Sequence, residues 1–180
     1  MHSDLIGKIE KANRYAQEPE RIAIDTLLVQ FHGDNHAHTV ALGTDGWRCD
    51  CRGFALRGVC EHMMSLQRIL EPMLSTVALD PGPVIAHSDL IGMIEKSRNY
   101  AHQPDRIIVD RLASRFRGNN SEHALALADG RWTCSCNTFQ MWNTCAHVMA
   151  IQKILDPMLA APAREAGSVS VEDFALAALS

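Results

Sequence analysis

The sequence predicts an α+β chain built as two tandem repeats, each a helix, a three-stranded antiparallel sheet and a second helix. Two observations predict it. The chain aligns with itself without gaps at an offset of 85: His2-Ser3-Asp4-Leu5-Ile6-Gly7 recurs as His87-Ser88-Asp89-Leu90-Ile91-Gly92, and Pro72-Met73-Leu74 as Pro157-Met158-Leu159, with about half of the aligned positions identical. Within each copy, stretches with helical apolar spacing flank a run of β-branched and apolar residues punctuated by Gly, Asn and Asp.

Each element follows from local chemistry. Ser3 can cap a helix in which Leu5, Ile9, Ala12 and Ala16 form one stripe, ending before Pro19. From Arg21 to His32, the residues Ile22, Ile24, Thr26, Leu28, Val29 and Phe31 read as a strand; the matching Arg106 to Arg117 could also be drawn as a helix ending at Gly118. Gly33-Asp34-Asn35 is turn chemistry, and two short strands follow, His38 to Leu42 and Gly46 to Cys51. His62 to Leu70 returns to helical spacing and stops before Pro72.

The repeats are expected at residues 1–74 and 87–159. Ser75 to Ala86, with Asp80-Pro81-Gly82-Pro83, reads as a linker. Residues 160–180 read as a second connector and a short amphipathic helix, with Ser170 as its cap and Val171, Phe174 and Ala178 on one side; Phe174 is a candidate partner contact.

Composition narrows the classes. With 180 residues, 47% hydrophobic and 21% charged, the chain is neither disordered nor collagen-like. Its apolar runs fall far short of the ~18 to 20 residues that span a bilayer, so no membrane role is expected. Met1-His2-Ser3-Asp4 shows no basic and apolar leader, which suggests the cytoplasm. A formal charge of −4 argues against a general grip on phosphate backbones.

All six cysteines fall in two copies of one pattern, Cys49-x-Cys51-x8-Cys60-x-His62 and Cys134-x-Cys136-x8-Cys145-x-His147. Three sulfurs and one imidazole are the donor set of a tetrahedral structural zinc site. Cys49 and Cys51, two apart on a strand, can share a face; Cys60 and His62 face one ion only if Cys60 precedes the helix and His62 lies in its first turn. Zinc would then sit between the hairpin and the C-terminal helix. Disulfides fail on the odd number of cysteines per copy, and four protein ligands leave no open position for catalytic water. A unit of about 70 residues builds a small core, so two structural Zn²⁺ would contribute directly to folding.

The spacing Cys-x-Cys then Cys-x-His, preceded by Trp47 and Trp132, resembles the SWIM zinc finger. The resemblance covers Phe31 to Leu70 and Phe116 to Leu155. It implies zinc ligation by the eight residues above and an accessory role in binding DNA or protein, with no catalytic part. The basic residue that many members carry before the ligand histidine is replaced here by Glu61 and Ala146.

The copies differ in charge. Copy one holds 8 Lys and Arg against 10 Asp and Glu, and copy two holds 8 against 7. On an unbroken strand, Arg111, Arg115 and Arg117 would share a face with Ile107 and Val109 and could contact phosphate or an acidic protein; the bland reading is a solvated edge. Trp142 could stack on a base or anchor an interface, and Phe54 and Phe139 would shield the sulfurs. His36, His38 and His123 read as packing residues in preference to a further metal site. The expectation is a non-enzymatic zinc-binding adaptor for a protein partner or larger complex, with no small-molecule substrate. DNA or RNA binding through the arginines is the second reading, and a redox or zinc-storage role the third.

Overall fold

The computed structural model describes residues 2–80 and 89–165; the side chains of residues 2–4 and 89 are not described. The side chain of Ser3, residues 81–86 of the Pro/Gly linker and the C-terminal segment with Phe174 therefore lie outside the described residues. In copy one, helix α1 (His2–Ala16) leads into strands β1 (Ile22–His32), β2 (Ala37–Gly43) and β3 (Gly46–Cys49). Helices α2 (Arg52–Arg57), α3 (Glu61–Leu70) and α4 (Thr76–Leu79) follow. Copy two repeats this order: α5 (Asp89–Ala101), β4 (Ile107–Arg117), β5 (Glu122–Ala128), β6 (Arg131–Cys134), α6 (Asn137–Trp142), α7 (Ala146–Leu155) and α8 (Ala161–Glu165). No described helix is long and apolar enough to cross a membrane.

The repeat in sequence is not the unit of packing. Both copies share one six-stranded sheet in the order β3-β2-β1-β4-β5-β6, joined where β1 and β4 pair antiparallel. The register matches Ile22 to Phe116, Leu27 to Leu112 and Phe31 to Ile107. An offset of 85 turns each pair into another of the set, and Leu27 with Leu112 into itself, so a local dyad runs through that pair.

The helices cross over. α1 of copy one packs on α7 of copy two, and α5 of copy two packs on α3 of copy one. Tyr15 of α1 meets Phe116 with ring centroids 5.0 Å apart, and Tyr100 of α5 meets Phe31 at 5.2 Å. One interior results, running from Ala12 and Phe31 through Leu27 and Leu112 to Ile151 and Met158. In α1 the buried residues are Ala12 and Tyr15, whereas Ile9, expected on the buried stripe, is exposed.

The long strands are strands, yet neither keeps one face throughout. Asp25 and Asp110 are extra residues at bulges, and each reverses the alternation that follows. The buried set is Ile22, Ile24, Leu27, Val29 and Phe31, with Ile107, Val109, Leu112, Ser114 and Phe116 opposite. Arg111, Arg115 and Arg117 do share a side, but it is the open side, away from Ile107 and Val109.

The repeats also extend further than sequence suggested. Ser75 caps α4 by accepting from the Ala78 N–H at 3.2 Å. The Ala78 carbonyl accepts from Trp47 Nε1 at 2.6 Å and from Gln67 Nε2 at 2.8 Å. In copy two, Trp132 at 2.8 Å and Gln152 at 2.9 Å hold the Ala163 carbonyl. The first residues of each expected connector are thus anchored in the fold.

Two outcomes test this architecture. Residues 1–80 expressed alone, lacking the other copy's helix, are expected to self-associate as a dimer in sedimentation equilibrium. Leu112→Ala, which opens a cavity at the dyad, should lower the stability of the whole chain by about 2 to 5 kcal/mol in a single denaturant transition.

Candidate metal centre

Each centre is assembled by the ends of a hairpin and two helices. In copy one, β2 and β3 pair Val40 with Cys49, which puts the Cys49 sulfur on the buried side. The chain then leaves the sheet. The Asp50 N–H donates to the Thr39 carbonyl at 3.3 Å, and the Asp50 carboxylate accepts from the Thr39 N–H at 3.0 Å. Cys51 is therefore not a strand residue, as its spacing from Cys49 suggested. It caps α2, and its sulfur accepts from the Phe54 N–H at 3.3 Å. Gly58, in the left-handed conformation at φ 72°, ends α2.

The expected placement of Cys60 and His62 is found. Cys60 is the N-cap of α3, its sulfur accepting from the Met63 N–H at 3.5 Å, and His62 lies in the first turn. Copy two matches: Cys136 accepts from the Phe139 N–H at 3.4 Å and Cys145 from the Val148 N–H at 3.5 Å. Asn143, left-handed at φ 52°, stands in for Gly58.

The ligand atoms of Cys49, Cys51, Cys60 and His62 all lie within 4.8 Å of one another, as do those of Cys134, Cys136, Cys145 and His147. All eight residues are buried, and none is in a disulfide. His62 Nδ1 is 3.8 Å from the Cys49 sulfur, and His147 Nδ1 is 3.9 Å from that of Cys134. A tetrahedral Zn²⁺ with bonds of about 2.0 to 2.3 Å needs donor atoms roughly 3.5 to 3.8 Å apart, so the set fits the ion.

Electrostatics leads to the same ion. A hydrogen bond from the Cys60 thiol pulls Cys49 down to about 4, while that sharing pushes Cys60 far up and burial raises Cys51. In copy two, Cys134 falls to about 4 beside Cys145, which rises with it, and burial raises Cys136. Three sulfurs this close cannot all ionise unaided; a divalent cation lets them.

The ligand histidines are held by aromatic rings from both copies. His62 packs on Phe31 at 4.9 Å and on His38 at 4.6 Å, and it stacks on Tyr100 of the other copy at 5.9 Å with 13° between the planes. His147 meets Phe116 at 4.9 Å, His123 at 4.5 Å and Tyr15, again from the other copy, at 5.7 Å and 16°. His38 and His123 form this outer layer, and the described residues contain no third cluster of metal-binding donors. His38 Nδ1 lies 2.9 Å from the Asp50 carboxylate, and His123 Nε2 lies 3.0 Å from Ser121 Oγ.

Tyr15 and Tyr100 are functional residues that the sequence reading missed. Their signal was present, because they are the chain's two tyrosines and stand at the 85-residue offset. Phe139 is buried beside Cys136, while Phe54 is half-buried. Of the candidate contact residues, Trp142 is 57% exposed with Lys8 Nζ 5.2 Å from its ring. Arg115 is engaged by the Asp25 carboxylate at 3.0 to 3.2 Å, whereas Arg111 and Arg117 project from the open side of the sheet.

Comparison with known proteins agrees with this geometry. The family described as SWIM zinc finger matches residues 38–66 and 126–151, one match on each centre. No curated protein and no solved structure matches the chain significantly. Cys60→Ser is expected to cut bound zinc from two equivalents to one by elemental analysis. Tyr100→Ala should weaken zinc at the Cys49 centre by about tenfold or more in chelator competition, although it belongs to the other copy. Two matches and two closed sets of three cysteines and one histidine make this chain a carrier of two SWIM zinc fingers in tandem, each with its structural Zn²⁺ site.

Proposed function

We propose that the protein is a non-catalytic adaptor whose zinc-held frame docks a protein partner. The observation that carries this reading is apolar surface on the short helices between the second and third ligands: Leu56 on α2 is 68% exposed, and Met141 and Trp142 on α6 are 71% and 57% exposed. Each helix is capped at one end by a ligand cysteine, Cys51 or Cys136, so these side chains are presented from a rigid base. The acidic balance and the absence of a basic residue before His62 and His147 favour protein over nucleic acid. Burial of all eight ligands favours a structural role over zinc storage or thiol redox chemistry.

Nucleic acid is the second reading, supported by Arg111 and Arg117 on the open side of the sheet. A photo-crosslinking amino acid at position 142, with one at Thr44 as control, separates the two in cells. Discrete protein adducts from position 142, lost when Met141 is changed to Asp, are expected. Absence of such adducts, with salt-dependent binding to random DNA or RNA that an Arg111, Arg115 and Arg117 triple Ala variant loses, would replace the first reading with the second.

A further inference from the structure

Beside each metal centre lies a cleft, and the two copies fill it differently. In copy one it measures about 330 Å³ and is lined by Asp34, Glu61, Lys96 and Tyr100, with Arg52 and Arg57 also on its wall. Lys96 Nζ lies 3.3 Å from Glu61 and 3.6 Å from Asp34, and the Arg106 guanidinium lies 3.4 Å from Asp34. The Tyr100 hydroxyl and these two cations hold the Asp34 carboxyl below its ordinary value. Copy one thus supplies its own anions to the lysine and the arginine.

Copy two keeps the three binding groups and lacks the anion. At the 85-residue offset, Lys96, Tyr100 and Arg106 correspond to Lys11, Tyr15 and Arg21, whereas Asp34, Glu61 and Asp50 correspond to Asn119, Ala146 and Ser135. The cleft is larger, about 390 Å³, and its wall includes Lys11, Tyr15, Asn119, Asn120, Asn137 and Thr138 but no carboxylate. Lys11 Nζ and the Arg21 guanidinium lie 5.4 Å and 5.1 Å from the Tyr15 ring centre. Arg21 has Glu18 as its partner, but Lys11 makes no ion pair among the described residues. Tyr15 is 2% exposed and its hydroxyl, like that of Tyr100 in copy one, has no hydrogen-bond partner. A buried hydroxyl left unpaired is costly and marks a place for an acceptor in either cleft, but only in copy two is the neighbouring lysine also without a carboxylate. His147 also lines this cleft; its Nδ1 faces Cys134, which leaves Nε2–H as a further donor. The ligand set is the same in both copies, so the charge of the metal centre does not distinguish them.

We propose that the copy-two cleft binds a phosphomonoester-class oxyanion, placed where Asp34 puts its carboxylate in copy one. A lone ammonium surrounded by amide and hydroxyl donors suits three terminal oxygens better than the two of a carboxylate. The site goes beyond the adaptor reading and does not depend on it.

The test is a titration of the zinc-loaded full chain with inorganic phosphate at constant ionic strength, followed by amide NMR shifts. Saturable shifts at Asn119, Asn120, Ser121 and Asn137, absent at Asp34, Asn35, His36 and Arg52, are expected. Asn119→Asp, which restores the carboxylate of copy one, and Lys11→Met should each weaken binding by about tenfold or more, and Asp34→Asn combined with Glu61→Ala, which removes both carboxylates from Lys96, should create binding in copy one. A phosphoserine peptide binding far more tightly than phosphate would assign the oxyanion to a phosphorylated protein; similar affinities would assign it to a free phosphate compound. No saturable shift, equal shifts in both copies, or unaltered binding by Asn119→Asp with the fold retained would overturn the proposal.

Discussion

The pairing of β1 with β4 is the constraint on which the remainder of the molecule rests. Because Leu27 meets Leu112 on a local dyad, two sheets of three strands become one of six, and each N-terminal helix is carried across to the opposite copy. The crossing brings Tyr100 onto His62 and Tyr15 onto His147. Each metal centre therefore takes its four ligands from one repeat and part of its aromatic surround from the other.

This changes the role of the metal. A repeat of about 70 residues cannot bury much apolar surface by itself, but two repeats sharing a sheet can. The interior runs without a break from one zinc helix to the other, through Leu66, Leu27, Leu112 and Ile151. Zinc then fixes the outer rims, where β3, α2 and α3 converge and where there is little apolar surface to hold a six-residue helix in place.

Much of this was legible in the chain. The ligand set could be read because tetrahedral zinc imposes donor type and spacing, and the Cys60 and His62 geometry because helix periodicity leaves one solution. The strands are legible but their faces are not, since a single bulged residue reverses the alternation; its one trace is Asp25 and Asp110, a residue type disfavoured in strands, at the same place in both copies. Periodicity does not reveal where a strand ends, so by spacing alone Cys51 continues a strand that in fact stops at Cys49. The helical turn at Thr76–Leu79 reads as linker because its value lies in one carbonyl, that of Ala78, whose partners Trp47 and Gln67 are distant in sequence. Helix crossing depends on long-range packing and has no local signature at all.

A dyad with exchanged helices has the geometry of a two-fold homodimer, here held within one polypeptide. In a true homodimer a substitution in the gene alters both halves alike, so neighbouring clefts must stay identical. Fusion lifts that symmetry: one half can keep an aspartate among its cations while the other exchanges it for asparagine, and a molecule with two equal metal frames acquires two unequal sides.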